Sequence, residues 1–321
     1  MTDISPTDPA IVSPLGPFQG ERPAAPGWFH SAIARAPERT FIPVDGVPIE
    51  TLVWGDASKP GLIFLHGNGA HADWYSFIAP FFADDYRVIA ISWSGMGGSG
   101  WRARYSLDSF GDEVLAVASA VGLLNSAEKP IIVAHSFGGA IGLRLAASRG
   151  DQLKGAVILD NVPRPPHLRW TGPPNRADKK PPTYPSLVAA LARFRLMPPQ
   201  GCENLYLVDH IGRGSITQDV AEDGTTPIFR WRFDPGLWPK MDRTGSLESE
   251  HDLSAAKCPL AMIWGAQSQL VPQEGLDFTR RFIPAGTPMI ALPDAQHHLM
   301  LDQPLATVAA VRALLSAWPA R

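Results

Sequence analysis

The sequence predicts an α/β protein, one body built on a mostly parallel, eight-stranded sheet covered on both faces by helices, with a mostly helical insertion after the sixth strand. Three observations carry this. Short apolar runs bounded by Gly, Pro or Asp recur along the chain and lack the polar alternation of a strand with one wet face. Helix-length stretches separate several of them, as parallel pairing requires. From Val162 to about Lys257 the alternation stops and the texture becomes rich in Pro, Arg and Trp. With 321 residues, 45% of them hydrophobic, the chain is long enough to bury one large core and an inserted subdomain.

The elements follow in order. Residues 1–38 have prolines every few positions, aspartates where a leader needs basic residues, and no apolar segment, so they read as an extension draped on the surface. FIPVD and ETLVWG flank Asp45-Gly46 and are expected to open the sheet as a hairpin. GLIFLHG, YRVIAIS, PIIVAHS and GAVILDN supply the next four strands, with helices expected in DSFGDEVLAVASAVGLL from Asp108 and FGGAIGLRLAASRG from Phe137. These make residues 39–161 the first part of the body. Residues 162–257 form the insertion, which starts with RPPHLRWTGPPNRADKKPP, holds the helical stretch PSLVAALARFRLM and ends near FRWRFDPGLWPKM. PLAMIWG and PMIALP then complete the sheet within residues 258–321.

Composition narrows the function. A net charge of −3 without a basic stripe argues against nucleic acid as a partner. No run approaches the roughly 18 apolar residues of a membrane span. Cys202 and Cys258 are the only cysteines, too few for a disulfide framework or a cysteine metal site, and read as reduced, partly buried thiols. The expectation is a soluble, cytoplasmic protein acting on a small molecule, of open oligomeric state.

The stretch PIIVAHSFGGAIGLRLAASR carries the chemistry. A strand that ends at a small residue, a one-turn bend carrying Ser136 and a helix opening on Gly138-Gly139 make a turn that strains the backbone and leaves the hydroxyl exposed. The amide of Phe137, at the start of that helix, is free to face developing negative charge. This A-H-S-F-G-G run resembles the nucleophile elbow of the α/β-hydrolase superfamily, with Ala134 in place of the first glycine. Two further stretches are similar to motifs of the same superfamily. His66-Gly67-Asn68-Gly69 after the third strand resembles its HG-x loop, which makes the Asn68 amide the second oxyanion donor. IALPDAQHHLMLDQP resembles its histidine loop, with Gln296 where glycine is usual, His297 in the catalytic place and His298 as its rival. The resemblance runs from about Arg39 to the C-terminus and implies an α/β-hydrolase fold with a cap.

The acid is displaced. Family members often carry it in W-G-x-x-D-x-x-V-P, but here Trp264-Gly265-Ala266-Gln267-Ser268 puts a serine in that place. In a minority of families, haloalkane dehalogenases among them, the acid ends the sixth strand, and by that resemblance it falls on Asp160. Glu274, Asp277 and a serine-histidine pair without an acid are the other readings.

Other motifs lead elsewhere. Gly95, Gly97 and Gly100 satisfy G-x-G-x-x-G after a strand, but no helix opens on the last glycine and no ribose-binding acid follows at the right distance, so they read as a turn and no cofactor is expected. His66 and His71 lack a third ligand at metal spacing, and no metal is expected. Trp231 and Trp238 of the insertion are candidate substrate contacts, equally read as cap packing.

The resemblance therefore implies a serine hydrolase of the carboxylesterase or lactonase type, with Ser136 as nucleophile, His297 as base, Asp160 as its orienting acid, and Asn68 and Phe137 as the oxyanion hole. Its substrate is expected to be small and apolar or aromatic. A C–C bond hydrolase or cofactor-independent dioxygenase on the same triad, and a non-catalytic small-molecule receptor, are the alternatives. Serine at the elbow argues against haloalkane dehalogenase or epoxide hydrolase chemistry, both of which use a carboxylate nucleophile.

Overall fold

The computed structural model describes residues 8–169, 181–242 and 249–318. The strands in chain order are β1 (Glu38–Val44), β2 (Val47–Trp54), β3 (Gly61–Leu65), β4 (Arg87–Ile91), β5 (Ile131–His135), β6 (Gly155–Leu159), β7 (Thr183–Tyr184), β8 (Ile216–Val220), β9 (Pro227–Trp231), β10 (Leu260–Gly265) and β11 (Met289–Leu292). Eight of them form one sheet in the order β1-β2-β4-β3-β5-β6-β10-β11. Only the β1–β2 and β2–β4 pairings are antiparallel. The hairpin turns at Asp45 and Gly46, both at positive φ (49° and 78°), the geometry that matches the twist of its strands.

The continuous apolar runs are explained by two cores. Leu62 and Phe64 of β3, Ile131 and Val133 of β5, and Val157 and Leu159 of β6 pack on one face of the sheet. Their neighbours Ile63, Leu65, Ile132, Ala134, Ala156 and Ile158 pack on the other. A strand buried on both faces has no polar alternation to show.

The helices are α1 (Pro9–Val12), α2 (Gly27–Ala34), α3 (Leu107–Ala120), α4 (Phe137–Arg149), α5 (Leu187–Leu191), α6 (Leu205–Gly214), α7 (Ser249–Ser254), α8 (Gln273–Thr279), α9 (Leu299–Asp302) and α10 (Pro304–Ala317). α3 starts where Ser106 and Ser109 exchange side-chain and backbone hydrogen bonds in a capping box. It shares the second core with α4, while α10 closes the first through Val308, Val311, Leu314 and Leu315.

Two expectations need correction. The N-terminal extension is not simply draped on the surface: Leu15 and Phe29 are buried in the first core, and Ser13 Oγ donates to Ala192 O of the insertion at 2.6 Å. The insertion does follow the sixth strand, but beside α5 and α6 it carries a three-stranded antiparallel sheet, β7-β9-β8. Those strands are two to five residues long and mostly half-buried or exposed, so they leave little apolar pattern. Residues 170–180 and 243–248, within the insertion, and 1–7, within the extension, lie outside the described residues, as does most of the RPPHLRWTGPPNRADKKPP stretch.

The insertion is tied to the body through Glu50 of β2, only 1% exposed. Its carboxylate accepts from Arg39 (2.5 Å), from Arg232 just past β9 (2.8 Å), from Ser92 Oγ (2.7 Å) and from Gly98 N (2.7 Å). Burial works to raise its pKa, but Arg232, Ser92, Gly98 and Arg39 outweigh it and hold the carboxyl below the ordinary glutamate value. The glycine-rich turn takes part: Gly97 N donates to Arg232 O at 2.9 Å, and Gly95 O accepts from Asp234 N at 2.8 Å.

Candidate active site

β5 stops at His135 and α4 begins at Phe137, so Ser136 alone makes the turn between them. Its backbone sits at φ 53°, ψ −119°, a conformation that costs a side-chain-bearing residue about 1–3 kcal/mol. The surroundings hold it there. Ser136 N donates to Leu159 O at 2.9 Å, and Asn161 Nδ2 donates to Ser136 O at 2.7 Å. A Cβ on Gly138 would lie 2.6 Å from His66 O, and one on Gly139 would lie 2.7 Å from Asn161 Cβ, so both positions are confined to glycine. Ala134 fits in place of glycine because α4 presents Gly142 opposite it, where an added Cβ would stand 3.0 Å from Ala134 Cβ.

His297 arrives from the loop after β11, and the structure brings it onto Ser136. Its Nε2 lies 2.9 Å from Ser136 Oγ and its Nδ1 lies 2.7 Å from Asp160 Oδ2. Because the carboxylate accepts, Nδ1 carries the proton and the Nε2 lone pair faces the serine hydroxyl. Asp160 follows directly on β6 at φ 48° and is 2% exposed. Its Oδ1 accepts from Gly265 N at 2.9 Å, and its Oδ2 also accepts from Ser268 Oγ at 2.7 Å. Ser268, in the position where the related motif usually has aspartate, is therefore a hydrogen-bond donor to Asp160.

The rival residues lie elsewhere. Asp277 pairs with Arg280 at 2.7 Å and Glu274 with His167 at 3.0 Å, all on the surface. His298 is buried against Trp74, with ring centroids 5.3 Å apart, and burial together with His297 and His135 pushes its pKa well below the ordinary histidine value. His66 is neutral for the same reason, burial lowering it to about 3, and it fixes the HG loop by accepting from Trp93 N at 3.2 Å.

Phe137 follows Ser136 directly, and the backbone amides of Asn68 and Phe137 donate to no acceptor among the described residues. Both line a cavity of about 1250 Å³ above Ser136, as do Trp231 and Trp238. Trp238 also packs edge-on against Phe137 at 5.8 Å, and Trp231 against Tyr184 at 5.5 Å, so each combines packing with exposure to the cavity. His135, His297 and His298 offer ring nitrogens within 4.8 Å of one another, a cluster that the His66–His71 pairing did not anticipate. Both nitrogens of His297 are engaged by Asp160 and Ser136, and His135 Nε2 by His297 O at 2.9 Å, so a cation there would have to dismantle the serine–histidine contact.

Sequence reading missed the supports of the histidine loop. Asp302 Oδ2 accepts from Gln296 N at 2.8 Å, and Gln200 Nε2 donates to both Asp302 oxygens at 3.1 Å while Gln200 Oε1 accepts from His298 N. Burial, with the Asp160 charge adding to it, raises the Asp302 pKa to about 6 against the pull of the Gln296 and Gln200 hydrogen bonds and of His297. The acid of LMLDQP was visible as a motif residue, but its partner in the insertion was not.

Comparison with known proteins agrees with this architecture. The family described as "alpha/beta hydrolase fold" matches residues 60–304, and the chain belongs to it. It is 25% identical over 284 residues to the AB hydrolase superfamily protein YfhM of Bacillus subtilis (strain 168), covering 82% of this chain and 93% of that one. It is 24% identical over 253 residues to the pimeloyl-[acyl-carrier protein] methyl ester esterase of Edwardsiella ictaluri (strain 93-146), covering 77% and 90%. Among solved structures, the thioesterase domain from the curacin biosynthetic pathway superposes with a TM-score of 0.69 at 18% identity, covering 86% of this chain and 99% of that one. Among the described residues, no helix is long and apolar enough to cross a membrane.

Proposed function

We propose that this chain is a serine hydrolase that cleaves a carboxylic ester or lactone of a small substrate through an acyl-enzyme. The observation that carries the reading is the pair of contacts on one imidazole, 2.9 Å to Ser136 Oγ and 2.7 Å to Asp160. In this mechanism Ser136 Oγ attacks the carbonyl carbon as His297 Nε2 takes the hydroxyl proton, and the Asp160 carboxylate stabilises the resulting imidazolium. The amides of Asn68 and Phe137 hold the oxyanion. Collapse expels the alcohol, which receives the proton from His297. A water deprotonated by the same nitrogen then attacks the acyl carbon and releases the acid. Trp231 and Trp238 favour an apolar or aromatic portion in the substrate, and a cavity of about 1250 Å³ favours small molecules. Similarity to a methyl ester esterase supports ester chemistry.

The test is a panel of p-nitrophenyl esters and lactones assayed with wild type, Ser136→Ala and Asp160→Asn, with oxygen uptake recorded in parallel. Ester or lactone turnover abolished by Ser136→Ala supports the proposal. Turnover that survives in Ser136→Ala contradicts it, as does oxygen consumption or β-diketone cleavage without ester turnover.

A further inference from the structure

The cavity over Ser136 has an unbalanced charge. Arg164, Arg169, Arg193, Arg195 and Arg232 all line it, whereas the only carboxylate among its described lining residues is Asp160. Asp160 is already committed to His297, Gly265 and Ser268. The imbalance is local, because the chain as a whole carries a net charge of −3.

Two of the five guanidinium groups are neutralised. Arg232 is paired with Glu50 and Arg169 with Glu250. The other three have no carboxylate hydrogen-bonded to them among the described residues. Arg164 lies four residues beyond Asp160, is half-buried, and spends one Nη2 hydrogen on Leu270 O at 2.7 Å. Burial lowers its pKa and the Asp160 charge opposes that only in part. A guanidinium has five N–H donors, so most of this fork is free to face a ligand. Arg193 and Arg195 lie just past α5, are exposed while Phe194 and Leu196 between and after them are buried, and both line the cavity.

A half-buried, unpaired arginine is costly to retain in a site for purely apolar substrates, and it matches the planar geometry of an oxyacid. We propose that the substrate carries an anionic group, a carboxylate or phosphate, remote from the scissile carbonyl, bound by Arg164 and drawn in by Arg193 and Arg195. The inference rests on the hydrolase reading above and narrows it: an apolar or aromatic segment lies against Trp231 and Trp238, and the charged end lies against the arginines.

The experiment compares near-isosteric ester pairs, mono-p-nitrophenyl glutarate against p-nitrophenyl 4-carbamoylbutanoate for charge on the acyl side, and 4-carboxyphenyl butyrate against 4-carbamoylphenyl butyrate for charge on the alcohol side. Glutarate and phenyl phosphate serve as competitive inhibitors that separate carboxylate from phosphate recognition. The expected result is a preference for one charged ester of about tenfold or more in kcat/KM, expressed mainly in KM. The preference should shrink with added salt and fall towards unity in Arg164→Gln and in Arg193→Gln/Arg195→Gln. The exposed double variant keeps the test open if the half-buried arginine proves necessary for folding. Equal or poorer turnover of both charged esters by wild type overturns the proposal, and so does a preference that persists in both variants.

If no ester is turned over, the hydrolase reading fails, and calorimetric titration decides the anion site separately. Glutarate or phenyl phosphate should then bind about tenfold or more tighter than pentanamide, and less tightly to the arginine variants. Indifference to charge overturns the site.

Discussion

Ser268 Oγ donates a 2.7 Å hydrogen bond to Asp160 Oδ2, the same oxygen that lies 2.7 Å from His297 Nδ1. Ser268 and His297 therefore converge on one carboxylate oxygen from two different loops. The carboxylate just past β6 is thus held by a hydroxyl from the loop after β10.

This adjacency predicts a transplant of the acid. Asp160→Asn should lower ester turnover by about 10²–10⁴-fold, because the neutral amide neither fixes the imidazole tautomer nor stabilises imidazolium. Asp160→Asn/Ser268→Asp should recover about tenfold or more of that loss. Steady-state kcat on a p-nitrophenyl ester checks both, and a double variant no faster than Asp160→Asn would show that the Ser268 position cannot reach the imidazole.

The elbow tolerates no added carbon. A Cβ on Gly138 would meet two backbone carbonyls, His66 O at 2.6 Å and Leu65 O at 2.7 Å, neither able to yield like a side chain. Gly138→Ala should destabilise the fold by about 1–3 kcal/mol or more and shift the HG loop that carries Asn68. Urea denaturation together with kcat measures both effects. An alanine variant of wild-type stability and rate would refute the close approach.

The tie between insertion and body should behave as a buried ion pair. Glu50 is 1% exposed and meets Arg232 at 2.8 Å. Arg232→Ala removes one of its two arginine partners, and a loss of about 2–4 kcal/mol is expected, with Arg39 limiting the damage. Glu50→Gln/Arg232→Met, which removes both charges, should recover part of this in the same denaturation series.

Stability should also depend on pH through Asp302. Its folded pKa is raised to about 6 from the ordinary 3.8, so between those values the folded protein holds a proton that the unfolded chain has lost. Its favourable contribution is therefore complete below about pH 3.8 and is lost as pH rises through about 6. Asp302→Asn should gain about 1–2 kcal/mol relative to wild type between pH 4 and 7.5. Chemical denaturation at the two pH values reads the sign directly, and a change in the opposite direction would rule out burial as the dominant influence on this carboxyl.

How much of this was legible in the sequence follows from how local each signal is. The central strands β3, β5 and β6 were legible because each is buried on both faces, so GLIFL and IIVAH read as unbroken apolar runs. The elbow, the HG loop and the histidine loop are contiguous stretches whose glycines and polar residues must sit together to make the turn. Asp160 was reachable because it follows directly on a strand, a position fixed by counting. The insertion was only partly legible. Its strands β8 and β9 pair mostly half-buried or exposed residues, and its anchors join positions far apart in the chain, such as Glu50 with Arg232 and Gln200 with Asp302. The burial of Leu15 and Phe29 was equally hidden, since proline-rich sequence around them carries no periodicity.

The central claim is that Ser136 is a nucleophile activated by His297, and the most direct measurement is peptide-mapped mass spectrometry after treatment with a fluorophosphonate. One phosphonyl adduct is expected, on Ser136, absent in Ser136→Ala and strongly slowed in His297→Ala. An unlabelled protein, or an adduct on another residue that persists in Ser136→Ala, would contradict it.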